Sequence, residues 1–151
     1  MAMDRNLVDG HDDRHRRTLD LTGSDARALA RVRQWISEML AGVGRTHVLE
    51  VIQVADELTS NAYEHADGPR AVHVSHRHAL LGTTVEVDDT RPLSRLTLGR
   101  SRFGEAAHRG HGLRIVDQIA SAWGVRQSTG ASEGKTVWAE IPCPAGHQDV
   151  T

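Results

Sequence analysis

The sequence predicts an α/β two-layer sandwich in which helices cover one face of a mixed, mostly antiparallel sheet. Segments of helical spacing and segments of alternating apolar residues follow one another as strand, two helices, two strands, loop, helix and two strands. With 151 residues, the chain is long enough for one domain and short for two. A hydrophobic fraction of 38% beside 25% charged residues is ordinary for a globular domain.

The N-terminal third predicts an arm, a strand and a helix. Residues 1–17 are rich in charge and lack an apolar core, which predicts a disordered or loosely held arm. Alternation over 18–21 indicates a short strand, after which Ser24 can cap a helix. That helix carries an apolar stripe until glycines interrupt it: Leu29, Val32, Ile36, Met39 or Leu40, and Val43.

The middle third predicts a long helix and two strands. The helix runs from about Thr46 to Ala66, and the turn residues Asp67, Gly68 and Pro69 end it. Alternating valines then predict strands over 71–76 and 83–88.

The last third begins with a loop of about twenty residues, 90–109, which is long enough to suggest a functional segment. A helix over 113–123 with Gly124 as its C′ residue follows, and strands are predicted over 125–128 and 135–141. We therefore expect the folded domain to span 18–142, with a tail over 143–151.

Composition excludes several classes of protein. Aromatic residues at 3% and a net charge of −2 argue against a nucleic-acid partner. The single cysteine, Cys143, excludes an internal disulfide and a cysteine-based zinc cluster, and it fits a reducing cytoplasm. No segment is long and apolar enough to span a membrane, so we expect a cytoplasmic protein.

The long helix carries the first candidate site residues. Glu57 and Asn61 lie four residues apart and share one face, beside the stripe of Val51, Ala55, Leu58 and Ala62. A single pair of this kind is usually solvated surface. In a cleft, however, the carboxylate can take a proton and the amide oxygen can bind a hard cation.

Three further features follow in order along the chain. Asp89 ends a strand where the long loop begins, a common place for a polar ligand. Arg109, Gly110, His111, Gly112 and Leu113 form a glycine-containing turn before a helix, which suits a phosphate group. Thr136 begins the last strand, where a hydroxyl can bridge a ligand and an acid.

Together these motifs resemble the GHKL ATPase superfamily, which has the Bergerat ATP-binding fold. Glu57-x-x-x-Asn61-Ala62-x-x-His65 resembles its N-box, Asp89 the acid of the next box, Gly110-x-Gly112-Leu113 the glycine box, and Gly134-Lys135-Thr136 the final threonine motif. The short chain and its Gly-Lys-Thr-Val-Trp ending are similar to the anti-sigma-factor serine kinases.

The resemblance implies a role for each matched residue. Glu57 would be the catalytic base and Asn61 the Mg²⁺ ligand. Asp89 would accept a hydrogen bond from the adenine amino group, with Thr136 supporting it. The remaining ATP-binding residues would be His65 and the glycine-box segment, Arg109, Gly110, His111, Gly112 and Leu113, while residues 90–109 would form a lid.

The implied function is an ATP-binding anti-sigma factor that holds a sigma factor and phosphorylates a serine on its antagonist, a small protein of STAS type. A homodimer is one of the oligomeric states that the sequence allows. The acid box departs from the family pattern, because Arg91 and Leu93 stand where glycines are usual.

That departure keeps a second reading open, in which the chain is a catalytically inactive Bergerat-fold module that acts by sequestration alone. A histidine-kinase catalytic domain is disfavoured, because no dimerisation helix or phosphoacceptor segment precedes residue 18. A zinc site at His73, His76 and His78 is a further alternative, although exposed strand histidines are the more usual explanation.

Overall fold

The computed structural model describes residues 16–77, 82–91, 111–128 and 134–143. Five strands form one sheet in the order β1-β2-β3-β5-β4, and every neighbouring pair among these described strands is antiparallel. The strands are β1 Arg16–Asp20, β2 Pro69–Arg77, β3 Gly82–Asp89, β4 Ala122–Gln127 and β5 Lys135–Ile141. The predicted α/β class is confirmed.

The helices cover one face of this sheet. They are α1 Leu29–Met39, α2 Arg45–His65 and α3 His111–Ile119, and a short 3-10 turn, Ala26–Ala28, precedes α1. The long helix α2 lies in the middle of the layer and packs against α1, α3 and β3. Its predicted apolar stripe is buried in full: Val51, Ala55, Leu58 and Ala62.

The core lies between α2 and the central strands. Val72 faces Val87 and Val74 faces Val85 across the β2–β3 ladder, and Val85 in turn faces Ala139 of β5. These side chains are at most 1% exposed. Fully burying a valine side chain contributes about 1.5–3 kcal/mol, so this small cluster stabilises both the sheet and the helix above it.

The N-terminal elements begin differently from the prediction. The strand β1 starts at Arg16, so the last residues assigned to the arm belong to the sheet. The cap of the first helical segment is Asp25, whose Oδ1 accepts from the backbone N–H of Arg27 at 2.9 Å. Ser24 does not cap it, because its hydroxyl contacts the Leu21 carbonyl at 2.6 Å and the Tyr63 hydroxyl at 2.5 Å.

The third helix is shorter than predicted. It ends at Ile119, and Trp123 and Gly124 lie inside β4, so the expected C′ role of Gly124 is wrong. Trp123 fits the apolar spacing of the helix because its side chain is buried, but it reaches the core from β4 rather than from a helix. Gly124 instead lets the Trp138 ring pack closely on β4, since an added Cβ would lie 2.9 Å from Cζ2 of Trp138.

Several predictions fall outside the described residues. They concern the arm before residue 16, most of the expected lid (92–109) and the end of the tail (144–151). Within the described parts, no helix has the length and apolar character that crossing a bilayer requires.

Candidate functional site

The C-terminal ends of α2 and β3 meet at one edge of the domain. Arg91, just beyond β3, donates from Nη1 to the carbonyl oxygen of His65 at 2.5 Å. This places a guanidinium at the negative end of the helix dipole, where a cation is favourable. A cavity of about 440 Å³ opens at this junction, lined by Glu64, His65, Ala66, Asp67, Thr90 and Arg91.

The two helical candidates border the core as predicted. Glu57 and Asn61 are both half-buried on α2, one turn apart. The neighbouring acid, Asp56, points elsewhere, because its Oδ1 accepts from Nε of Arg33 on α1 at 3.1 Å. Adjacent carboxylates on this helix therefore face different surroundings, and only Glu57 shares the side of Asn61.

Asp89 is a buried carboxylate, only 2% exposed, on the helix-covered face of the sheet. Its Oδ1 accepts from the backbone N–H of Arg91 at 2.8 Å. Nζ of Lys135 lies 3.1 Å from Oδ1 and 2.9 Å from Oδ2. The acid is thus held by a backbone amide and by a buried ammonium group from the facing strand.

The predicted support of Asp89 by Thr136 is wrong. Thr136 lies on the opposite face of the sheet, where its hydroxyl donates to Oδ1 of Asp88 at 2.5 Å. The residue directly opposite Asp89 is Lys135. The alternation of side chains along β5 could have indicated this. Lys135 is an even number of residues from the core residue Ala139 and shares its face, whereas Thr136 shares the face of Trp138.

The face of the sheet that none of the described helices covers, called the uncovered face below, carries a chain of polar contacts that the sequence patterns did not indicate. His73 contacts the Thr18 hydroxyl through Nδ1 at 2.8 Å and Oδ2 of Asp88 through Nε2 at 2.7 Å. Burial disfavours the charged Asp88 carboxylate, but hydrogen bonds from His73 and Thr136 outweigh that effect and lower its pKa. The contacts tie four strands together on this face.

These positions do not favour the zinc alternative. His73 faces the uncovered side, whereas His76 faces the helices and contacts the Thr83 hydroxyl through Nδ1 at 2.8 Å. His78 lies outside the described residues. Across the described ranges, no three histidine, cysteine or acidic residues cluster closely enough to hold a metal ion.

The predicted phosphate-binding turn is described in part. The helix α3 begins at His111, so His111, Gly112 and Leu113 form its first turn rather than the predicted loop turn, and the N-terminal amides of the helix lie within the predicted segment. Leu113 packs against the core cluster, and α3 packs against α2. Arg109 and Gly110 lie outside the described residues.

His65 lies at the last turn of α2 with a largely exposed ring. Its Nε2 is 3.6 Å from Oε1 of Glu64, and its carbonyl accepts from Arg91. His65, Glu64 and Arg91 all line the cavity. The structure therefore brings His65 and the residues after Asp89 to one site, beyond the half-buried Glu57 and Asn61.

Comparison with known proteins agrees with this fold. A sequence model described as the histidine kinase-like ATPase domain matches residues 22–141, which include the strands β2–β5 and all three helices. Among curated proteins, none matches the chain.

Proposed function

We propose that this chain, which belongs to the histidine kinase-like ATPase domain family, binds ATP with Mg²⁺ at the α2–β3 edge and transfers its γ-phosphoryl group to a protein serine. Domains of this family are ATP-binding, and the motifs that resemble those of anti-sigma-factor serine kinases motivate the narrower reaction. The proposed acceptor is a small antagonist protein, and the proposed binding partner is a sigma factor.

One observation carries the proposal. The contact between Arg91 and the His65 carbonyl joins the end of α2 to the end of β3, which supports a site where the last residue of the N-box meets the segment after Asp89. A cavity of about 440 Å³ at that junction is of the size that small-molecule ligands occupy.

The residues present fit a magnesium nucleotide. Asn61 offers a neutral amide oxygen from a half-buried position, and Mg²⁺ takes few protein ligands beside water and phosphate oxygens. Asp89 offers a buried acceptor for a base amino group. The N-terminal amides of α3 suit the phosphate groups.

The chemical step assigned to this chain is proton removal. Glu57 takes the proton of the serine hydroxyl as that oxygen bonds to the γ-phosphorus, while the bond between this phosphorus and the β–γ bridging oxygen breaks and ADP leaves. A positioned base of this kind typically contributes about 10²–10⁴ in rate. Bound ATP supplies the phosphoryl group, and Mg²⁺ offsets its charge.

Nucleotide binding is the first test. Calorimetry with ATP and ADP, each with Mg²⁺, should show saturable binding to the purified chain. The absence of a signal at protein concentrations of about 100 μM would contradict the proposal, because it corresponds to binding weaker than about −5.5 kcal/mol.

Catalysis is tested with two neighbouring acids. Glu57→Ala should keep nucleotide binding but lose transfer of labelled phosphate to a purified antagonist protein of STAS type. Asp56→Ala is the matched control, since its carboxylate pairs with Arg33, and it should keep transfer. Transfer at the wild-type rate by Glu57→Ala would show that the base is misassigned.

The metal role of Asn61 has its own readout. Asn61→Ala should raise the Mg²⁺ concentration needed for half-maximal nucleotide binding, while binding measured without Mg²⁺ should change little. An unchanged Mg²⁺ dependence would remove Asn61 from the metal site.

Sequestration without catalysis is the second candidate. It is favoured by the ion pair that already engages both oxygens of Asp89, and by Arg91 where the family has a glycine. A sigma-factor pull-down in parallel with the transfer assay separates the two. The binding module would be supported if the sigma factor is captured equally with and without ATP and equally by wild type and Glu57→Ala, while no antagonist becomes labelled.

A further inference from the structure

The ion pair between Lys135 and Asp89 lies at the start of β5, where a neutral side chain would suffice for strand pairing. The two residues face each other directly across the β3–β5 ladder. Their side chains are only 12% and 3% exposed, respectively. Burying two charges costs several kcal/mol per ion before their attraction offsets it, so a pair in this place calls for a role beyond stability.

The approach of the two strands fixes this pair in place. Gly134 precedes Lys135, and a Cβ added there would lie 2.3 Å from the carbonyl oxygen of Asp89. The glycine therefore permits a close contact between the backbones beside the ion pair. Lys135 also shares the parity of Val137 on the helix-covered face, so its stem points toward that layer rather than toward the uncovered face.

The contacts within the pair do not use all of its hydrogen-bond donors and acceptors. An ammonium has three donors, and Lys135 directs two contacts at Asp89. A carboxylate has about four acceptor sites, and among the described residues Asp89 receives two contacts from Lys135 and one from the Arg91 amide. Counted over those residues, Lys135 keeps one donor and Asp89 keeps one acceptor.

We propose that Lys135 is a specificity-determining residue that reads the nucleobase together with Asp89. The pair presents a donor beside an acceptor, which complements the adenine edge, where the N6 amino group lies beside the N1 acceptor. Asp89 accepts from the amino group and Lys135 donates to N1. This inference rests on the proposed binding of ATP at this edge, and it puts Lys135, rather than Thr136, beside Asp89 at the nucleobase.

The test compares ADP with 1-deaza-ADP, which keeps the amino group but has a C–H in place of N1. Binding of both nucleotides is measured by calorimetry on the full chain. The wild type should bind 1-deaza-ADP about tenfold or more weakly, as expected for the loss of one hydrogen bond to a charged donor. In Lys135→Met the ratio should fall to about one, whereas Lys135→Arg should keep most of it.

Thr136→Val is the matched control, because Thr136 is the next residue but lies on the other face; its ratio should equal that of the wild type. A tenfold ratio that persists in Lys135→Met would overturn the inference, and so would equal wild-type affinities for the two nucleotides. If Lys135→Met does not fold, the inference is judged from the ratio of ADP affinity to 1-deaza-ADP affinity in the wild type and in Lys135→Arg. A wild type that binds neither nucleotide would instead refute the proposed function, and this inference with it.

Discussion

Thr83 connects two buried histidine rings in the core beneath α2. Its hydroxyl lies 2.7 Å from Nε2 of His47 and 2.8 Å from Nδ1 of His76. The three side chains are at most 8% exposed. A hydroxyl can donate to one ring while it accepts from the other, so one side chain satisfies two buried polar atoms.

Replacing this hydroxyl should be costly even though the shape is kept. We expect Thr83→Val to lower the free energy of unfolding by about 1–3 kcal/mol, because buried ring nitrogens lose their contact with the hydroxyl. Urea denaturation measures the effect. Thr84→Val, on the half-buried opposite face, should change stability by less than about 0.5 kcal/mol. Equal midpoints for the two variants would contradict this interpretation.

At the residue scale, the sequence was informative about which side chains border the core. Glu57 and Asn61 lie where helical spacing places them, and the parity of β3 and β5 already put Asp89 and Lys135 on one face. Motif order drew attention to Thr136 instead. The contact of Arg91 with His65 could not be predicted, because it joins a loop residue to a helix end 26 positions away.

Two glycines at the sheet elements separate a backbone constraint from a side-chain constraint. A Cβ at Gly134 would meet the carbonyl of Asp89, which cannot move without separating β5 from β3. A Cβ at Gly124 would meet the Trp138 ring, which can shift on the uncovered face.

We therefore expect Gly134→Ala to weaken ADP binding by about tenfold or more, since it displaces Lys135 from Asp89. Gly124→Ala should alter the tryptophan fluorescence and leave ADP affinity within about twofold of wild type. Calorimetry and emission spectra on both variants provide the comparison. Similar ADP affinities for the two variants would show that the close approach at Gly134 does not serve the site.

The uncovered face of the sheet should give stability a measurable pH dependence. Glu86 accepts from Arg16 of β1 at 3.0 Å and from Arg126 of β4 at 2.5 Å. Burial disfavours its charge, but hydrogen bonds from Arg126 and Arg16 outweigh this and hold the pKa of Glu86 below its usual value of 4.5. A lowered pKa stabilises the fold above that value, and the contribution is lost as pH falls through the folded pKa.

We expect Glu86→Gln to be less stable than wild type at pH 7 by about 1 kcal/mol, with the difference shrinking below pH 4.5. Urea unfolding at several pH values measures it. Glu140→Gln, exposed on the same face, should follow the wild-type profile. If the Glu86→Gln curve runs parallel to wild type down to acid pH, the two arginine contacts do not contribute in solution.

At the scale of the whole molecule, hydrophobic periodicity predicted the layers but not the strand neighbours. The alternating valines of β2 and β3 and the apolar stripe of α2 indicated which face of the sheet packs against which side of the helix. The order that places β5 between β3 and β4 depends on pairing between distant segments, which local patterns do not contain. That order matters for the proposed site, because it sets Lys135 opposite Asp89.

The proposed nucleotide would contact three elements that are distant in sequence, so binding should stabilise the whole domain. At a free ligand concentration of 100 times Kd, linkage predicts about 2.7 kcal/mol. We expect Mg²⁺-ADP to raise the midpoint of thermal unfolding of the wild type and to have little effect on Asp89→Asn. Asp88→Asn is the matched control: the neighbouring acid faces the other side of the sheet, so this variant should be less stable yet keep the ligand-induced rise. Loss of that rise in Asp88→Asn alone would place the nucleotide on the uncovered face and overturn the site at the α2–β3 edge.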